Sequence, residues 1–131
     1  MGCKRIVILG STGSIGINTL KVIQRFPNRF KIVGLTAYNN LHLLEKQIKE
    51  FSPRYVAVNT KGIQHFKRHV ANKTVRILNV ESDLGQLVTL KDVDIVVIAM
   101  PGSAALGPFL SAVQAGKTVA PANKEALVVA G

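Results

Sequence analysis

Seven residues near the start of the chain, Gly10-Ser11-Thr12-Gly13-Ser14-Ile15-Gly16, have the types and spacing of an anion cradle. Glycines in such a turn let the backbone bend sharply and come close to a ligand. Where a helix starts inside the turn, its first N–H groups lack intrahelical acceptors and its dipole favours negative charge. Pyrophosphate oxygens suit that place. Ser11, Thr12 and Ser14 add hydroxyl donors, and Gly16 lets the helix pack closely on the preceding strand. No Gly-Lys-Ser/Thr closes the turn, which excludes a Walker phosphate loop. Taken alone, the pattern also fits a tight turn with no ligand. The elements on either side decide between the two.

Those elements alternate. Residues 5–9 are a β-branched apolar run, hence a strand. Residues 15–26 carry Ile15, Leu20, Val22, Ile23 and Phe26 on one side and Lys21 and Arg25 on the other. They read as a helix broken at Pro27-Asn28. Strands follow at 30–36, 55–58, 74–79, 94–99 and 117–120. Helices follow at 41–51, 61–71, 82–90 and 103–115. The second of these reads as a polar, solvated helix. Ser82 is the expected N-cap of the third, and Gly116 the expected C-cap of the fourth. Asn123 begins a further helix. The 94–99 strand is continuously apolar, so both of its faces are buried. This order implies an α/β fold: a Rossmann-like, doubly wound, mainly parallel sheet with helices on both faces. The chain stops about two turns into its last helix, as expected for one domain, residues 1–131, of a longer protein.

In an open parallel sheet, ligands sit beyond the carboxyl ends of the strands. Met100-Pro101-Gly102-Ser103 falls there, and so do three segments with polar groups to offer. The first is the glycine turn. The second is Tyr38-Asn39-Asn40, where an NAD site usually has an acid for the ribose 2′-hydroxyl. No carboxylate stands there to repel a 2′-phosphate, both Asn side chains can donate to one, and Tyr38 can stack on adenine. The reading favours NADP over NAD. The same residues can also be a polar turn capping the helix at 41. The third is Asn123-Lys124-Glu125, an amide, a cation and a carboxylate at a helix start. It reads either as a cap in a solvated turn or as a cofactor and substrate contact.

Composition removes other classes. The longest apolar runs, 6–10 and 95–102, fall short of the roughly 18 residues of a membrane helix. No secretory signal or myristoylation pattern opens the chain. The single cysteine, Cys3, rules out a disulfide framework and a cysteine-rich metal site. It reads as a small apolar residue entering the first strand, or else as a reactive thiol. A reducing cytoplasm fits this usage. Seventeen basic residues against seven acidic give a net charge of +10, which draws polyanions. The cations are scattered singly and aromatics are few, so no stacking platform for nucleic acid appears. His65 and His69 are four apart, a zinc-like spacing, but no third ligand is near.

Four stretches stand in order and at matching intervals: the glycine turn, Phe51-Ser52-Pro53-Arg54-Tyr55, Ala115-Gly116-Lys117-Thr118, and Ala122-Asn123-Lys124-Glu125-Ala126-Leu127-Val128. Together they resemble the N-terminal domain of the 1-deoxy-D-xylulose 5-phosphate reductoisomerase family, across essentially the whole chain. The family usually has Gly-Lys-Asn or Gly-Arg-Asn where this chain has Tyr38-Asn39-Asn40. Pro101, Ala105 and Ala126 also replace residues commoner in it. The resemblance implies an NADPH-dependent enzyme of non-mevalonate isoprenoid biosynthesis. Such an enzyme rearranges a phosphorylated sugar and reduces it to 2-C-methyl-D-erythritol 4-phosphate, with Mg or Mn polarising the carbonyl. It implies that Gly10, Thr12, Gly13, Ser14 and Ile15 hold the pyrophosphate and that Tyr38, Asn39 and Asn40 hold the 2′-phosphate side. Asn123 and Glu125 would lie against the nicotinamide half, and Lys124 would reach the substrate. Metal ligands, catalytic and C-terminal domains lie downstream in the family, and the parent is expected to be a cytoplasmic homodimer with no nucleic-acid or membrane partner. The 131 residues alone are expected to bind cofactor and not to turn over substrate. Two other readings are another NADP-dependent dehydrogenase with a similar Rossmann start and a non-catalytic basic module that binds nucleic acid. The Asn123-Lys124-Glu125 context argues against the first.

Overall fold

The computed structural model describes residues 3–69, 74–100 and 102–121. The elements run β1 (Lys4–Leu9), α1 (Ser14–Gln24), β2 (Phe30–Thr36), α2 (Leu41–Phe51), β3 (Tyr55–Val58), α3 (Thr60–His69), β4 (Arg76–Asn79), α4 (Leu84–Val88), β5 (Ile95–Ile98), α5 (Gly102–Gln114) and β6 (Thr118–Pro121). The six strands form one sheet in the order β4-β3-β2-β1-β5-β6. Every adjacent pair is parallel. The expected fold class is therefore the observed one.

The period-2 geometry of a strand explains why the apolar runs are unbroken. Ile6 and Ile8 of β1 enter one core cluster, with Leu20, Ile23, Leu44, Ile48 and Phe66 of α1, α2 and α3. Val7 and Leu9 enter a second cluster on the other face, with Leu84, Leu87 and Val88 of α4 and Ala112 of α5. The chain builds outward from β1 to β4 with helices on the first face. It then returns through α4 to place β5 beside β1, and α5 packs on the second face. Opposite directions of travel with right-handed crossovers require opposite faces.

Three local expectations fail. Ser82 does not cap α4: Asp83 is the N-cap residue and makes no side-chain cap bond, while Ser82 Oγ donates to Asp83 Oδ1 at 3.2 Å. Nor is α3 a solvated helix, because Phe66 is buried in the first cluster with Ile63 packed beside it. Cys3 is exposed just ahead of β1 rather than buried in it. Gly116 does cap α5. It has φ +77°, its N–H donates to Val113 O, and the Lys117 N–H donates to Ala112 O. This is the paired bonding of a Schellman end.

At the N-terminal ends of the strands, Arg5 joins β1 to the start of β5. Its backbone N–H donates to Asp94 Oδ2 at 2.8 Å and its Nε to the same oxygen at 3.1 Å. The bond from Arg5 holds the Asp94 carboxyl below its ordinary value of 3.8, and Asp94 raises the Arg5 guanidinium. A depressed carboxylate stabilises the fold above that ordinary value and loses its contribution as the pH falls through the lowered one. Asp94→Asn should therefore lower the urea midpoint at pH 7, and the gap to the parent chain should close below about pH 3.8. At the end of α2, Ser52 holds φ +49° without being glycine. Ser52→Gly should raise stability by about 0.5–1 kcal/mol in urea unfolding, since the left-handed conformation disfavours a Cβ.

Candidate functional site

The order of the sheet reverses between β1 and β5, and the loops leaving those two strands diverge there into a crevice. The glycine turn is at that place. Ala99 N–H donates to Leu9 O at 2.8 Å, which carries the ladder to the end of β1. Gly10 then bends away with φ +89°. A Cβ on it would lie 2.9 Å from Ala99 O, so both conformation and space require glycine. Gly16 is tighter still. A Cβ there would fall 2.2 Å from Gly10 O and 2.7 Å from Ser11 Cα. Helix α1 thus lies directly on the turn that leads into it.

The turn is pinned from behind by residues of β2 and α2. Gly10 N–H donates to Thr36 Oγ1 at 2.8 Å, and Ser11 N–H donates to Thr36 O at 2.9 Å. Ser11 is fully buried. Its Oγ donates to Gln47 Oε1 at 2.7 Å, and Gln47 Nε2 donates to Ser11 O at 2.9 Å. This corrects one expectation: the Ser11 hydroxyl is part of the scaffold and is not offered to a ligand. No sequence motif marks Thr36 or Gln47. Gln47 had a signal nonetheless, a polar residue on the inward stripe of α2 between Leu44 and Ile48.

The front of the turn is open. Thr12 is partly exposed, and Gly13, Ser14 and Ile15 are exposed. Gly13 is the N-cap of α1 in extended conformation, with nothing within 4 Å of a Cβ built on it. No side chain caps the helix, and its first turn holds no acid. The first N–H groups of α1 consequently face outward with no intrahelical acceptor and no competing carboxylate.

Beside the turn, Asn40 is the N-cap of α2, its Oδ1 accepting from Leu43 N–H at 3.1 Å. The capping reading of residues 38–40 is correct, and it leaves the Asn40 amide nitrogen and exposed Asn39 on the ligand side. Asn59 fixes the segment. Its Nδ2 donates to Tyr38 O at 2.8 Å, and its Oδ1 accepts from Gly62 N–H at 2.8 Å. Tyr38 packs on the second core cluster and walls a cleft of about 430 Å³ with Leu84, Gly85, Ala104, Pro108 and Ser111. Gly10, Thr12, Gly13, Ser14, Ile15, Tyr38, Asn39 and Asn40 are thus brought to one edge. Asn123, Lys124 and Glu125 lie outside the described residues.

Another cleft, also about 430 Å³, is at the opposite edge and is lined by Arg5, Lys31, Ser52, Arg54 and Asp92. Its Arg54 is already paired with Asp92 at 2.8 Å. That edge receives the C-terminal ends of α1 and α2, where cations are favoured without any ligand. Among the described residues no three His, Cys, Asp or Glu side chains form a group that would hold a metal ion. His65 instead faces Glu45 at 4.0 Å. No helix among them is long and apolar enough to cross a membrane.

A doubly wound parallel sheet with a glycine turn at its switch point and an uncapped helix beside it defines a Rossmann-like domain. More specifically, the chain belongs to the 1-deoxy-D-xylulose 5-phosphate reductoisomerase family, whose model matches residues 6–131. It is 51% identical over 128 residues to the enzyme of that name from Thermoanaerobacter sp. (strain X514), covering 98% of this chain and 33% of the relative. It is 47% identical to the one from Thermodesulfovibrio yellowstonii, again covering 98% and 33%. The chain thus spans about a third of the length of these curated relatives. Among solved structures, a DOX-P reductoisomerase in complex with NADPH, fosmidomycin and magnesium matches with TM-score 0.85 and 35% identity, over 95% of this chain and 31% of that one. The Zymomonas mobilis enzyme in complex with NADPH matches with TM-score 0.82 and 32% identity, over 98% and 34%.

The two unlike glycines give a test of the turn. Gly16→Ala should cost at least about 2 kcal/mol in urea unfolding, because the added methyl meets backbone. Gly13→Ala should stay within about 1 kcal/mol of the parent chain, since its Cβ enters open space.

Proposed function

We propose that residues 1–131 are the NADPH-binding domain of a longer reductoisomerase. That enzyme converts 1-deoxy-D-xylulose 5-phosphate to 2-C-methyl-D-erythritol 4-phosphate in non-mevalonate isoprenoid biosynthesis. The observation that carries the reading is the uncapped start of α1 behind an open Gly13, at the switch point of the sheet. Backbone N–H groups of residues 13–15 with the Thr12 and Ser14 hydroxyls receive the pyrophosphate. Gly10 sets the approach. Asn39 and the free amide nitrogen of Asn40 receive the 2′-phosphate, and the adenine lies against Tyr38 at the mouth of its cleft. Asn123 and Glu125 lie against the nicotinamide half, and Lys124 reaches the phosphorylated substrate.

Bound NADPH supplies the hydride for the reduction. The chain's own part is to fix the cofactor and aim it away from the sheet. The described residues do not fit the magnesium named for relatives, so no step through a metal is assigned to them. Metal ligands and the substrate phosphate site belong to the rest of the parent protein, a cytoplasmic homodimer in this reading. The isolated chain binds cofactor without turnover.

Calorimetric titration with NADPH and with NADH tests this, using circular dichroism to verify the fold. The parent chain should prefer NADPH. Asn40→Asp keeps the helix cap, because Asp and Asn cap about equally, but it puts a carboxylate against the 2′-phosphate. It should weaken NADPH binding about tenfold or more, roughly 1.4 kcal/mol, and change NADH far less. Asn39→Arg should strengthen NADPH alone. Failure of a folded chain to bind either nucleotide, or equal losses for both in Asn40→Asp, contradicts the assignment. A steep fall in affinity between low and moderate salt would point instead to a polyanion surface.

A further inference from the structure

The cleft beside Tyr38 has an unused carboxylate in its wall. Glu81 lines it together with Tyr38, Ala104, Pro108 and Ser111. Every other acid among the described residues has a partner. Glu45 faces His65, Glu50 accepts from Gln24, Asp83 accepts from Asn79 N–H, and Asp92 and Asp94 pair with Arg54 and Arg5. The Glu81 carboxylate has no such contact among the described residues, and the residue is exposed. Its backbone is nonetheless fixed. Glu81 N–H donates to Asn79 Oδ1 at 2.8 Å, and Asp83 N–H donates to Asn79 O at 2.9 Å. A lone surface carboxylate is normally just solvated. This one is held in the wall of a cleft, on an edge where the first turns of α1 and α2 contain no acid.

A second acceptor stands in the same wall. Pro108 is inside α5 and has no N–H, so the Ala104 carbonyl four residues earlier loses its usual helical donor. Both residues line the cleft. A phosphate-rich ligand on this edge does not meet Glu81 with its phosphates, because like charges repel. The part of it that suits two acceptors is an uncharged group with N–H donors, and the amino group of a purine has two. We infer that the Tyr38 cleft reads the base of the dinucleotide: the Glu81 carboxylate and the Ala104 carbonyl accept from the 6-amino group of adenine, with the ring against Tyr38. The cleft then selects a 6-aminopurine over a 6-oxopurine, whose oxygen would be turned toward acceptors it cannot bond. Glu81 is a specificity-determining residue, separate from Asn39 and Asn40, which serve the 2′-phosphate. The inference rests on the NADPH assignment proposed above and adds recognition of the base to it.

Titration with NADPH and with its reduced hypoxanthine analogue, in which a 6-oxo group replaces the 6-amino group, reads the base alone. The parent chain should bind NADPH at least about tenfold tighter than the analogue. Glu81→Gln keeps an acceptor and adds a donor suited to a 6-oxo oxygen, so it should reduce that preference to about threefold or less. Loss of the negative charge acts on both nucleotides alike and cancels in the ratio. The ratio of NADPH to NADH affinity should not move in Glu81→Gln. Asn40→Asp should move that ratio and leave the base preference intact. Glu81 is exposed, so the variant should fold, and circular dichroism verifies it. Equal affinity of the parent chain for the two bases, or a preference unchanged in Glu81→Gln, would overturn the base reading while NADPH binding itself stands. Absence of NADPH binding by the folded parent chain would overturn both.

Discussion

The approach of α1 to the turn after β1 is the constraint on which the ligand edge depends. With a Cβ at position 16 only 2.2 Å from Gly10 O, no side chain fits between helix and turn. The consequences run in both directions. Backward, the turn is pressed onto β2 and α2, where Thr36 and the buried Ser11–Gln47 pair satisfy its polar groups. Forward, the start of α1 is held at the crevice between β1 and β5 with its first N–H groups outward. Burial of the Ser11 pair without an unpaired atom keeps the turn rigid, and a rigid cradle spends less binding energy on ordering itself.

The two edges of the sheet have opposite electrostatic character, and this sorts the cations. Helix N-termini gather at the C-terminal ends of the strands, where the first turns of α1 and α2 contain no acid. Helix C-termini gather at the other edge, with Arg5, Lys31 and Arg54. A large positive net charge could be read as a nucleic-acid surface. Part of it is placed where helix ends favour it, and Arg5 and Arg54 are bound to Asp94 and Asp92.

Much of this was legible in the residues. The strands and helices of the first half follow from unbroken apolar runs and from Pro27 and Ser52-Pro53 as stops, so β2, α2 and β3 have the expected bounds. The role of Gly10 and Gly16 was legible because only glycine permits the bend and the close approach. Less legible was anything set by contact between distant segments. Ser11 looks like a ligand donor in the linear sequence, and only the packing of α2 turns it inward. Phe66 gives little signal in the sequence because α3 is polar on most of its circumference and buries a single narrow face. Ser82 lost the cap position to Asp83 because α4 is only five residues long, too short for its start to be fixed by pattern. Asn59, which holds Tyr38 in place, sits in a strand-to-helix turn with no motif around it.

The most direct measurement is a titration of the ¹⁵N-labelled chain with NADPH, following backbone amide resonances residue by residue. The largest shifts are expected on residues 12–16 and 38–40, with the amides of Arg5, Lys31 and Arg54 unmoved. Shifts centred on Arg5, Lys31 and Arg54 would place the ligand in the cleft at the opposite edge and rule out the glycine turn as the cofactor site.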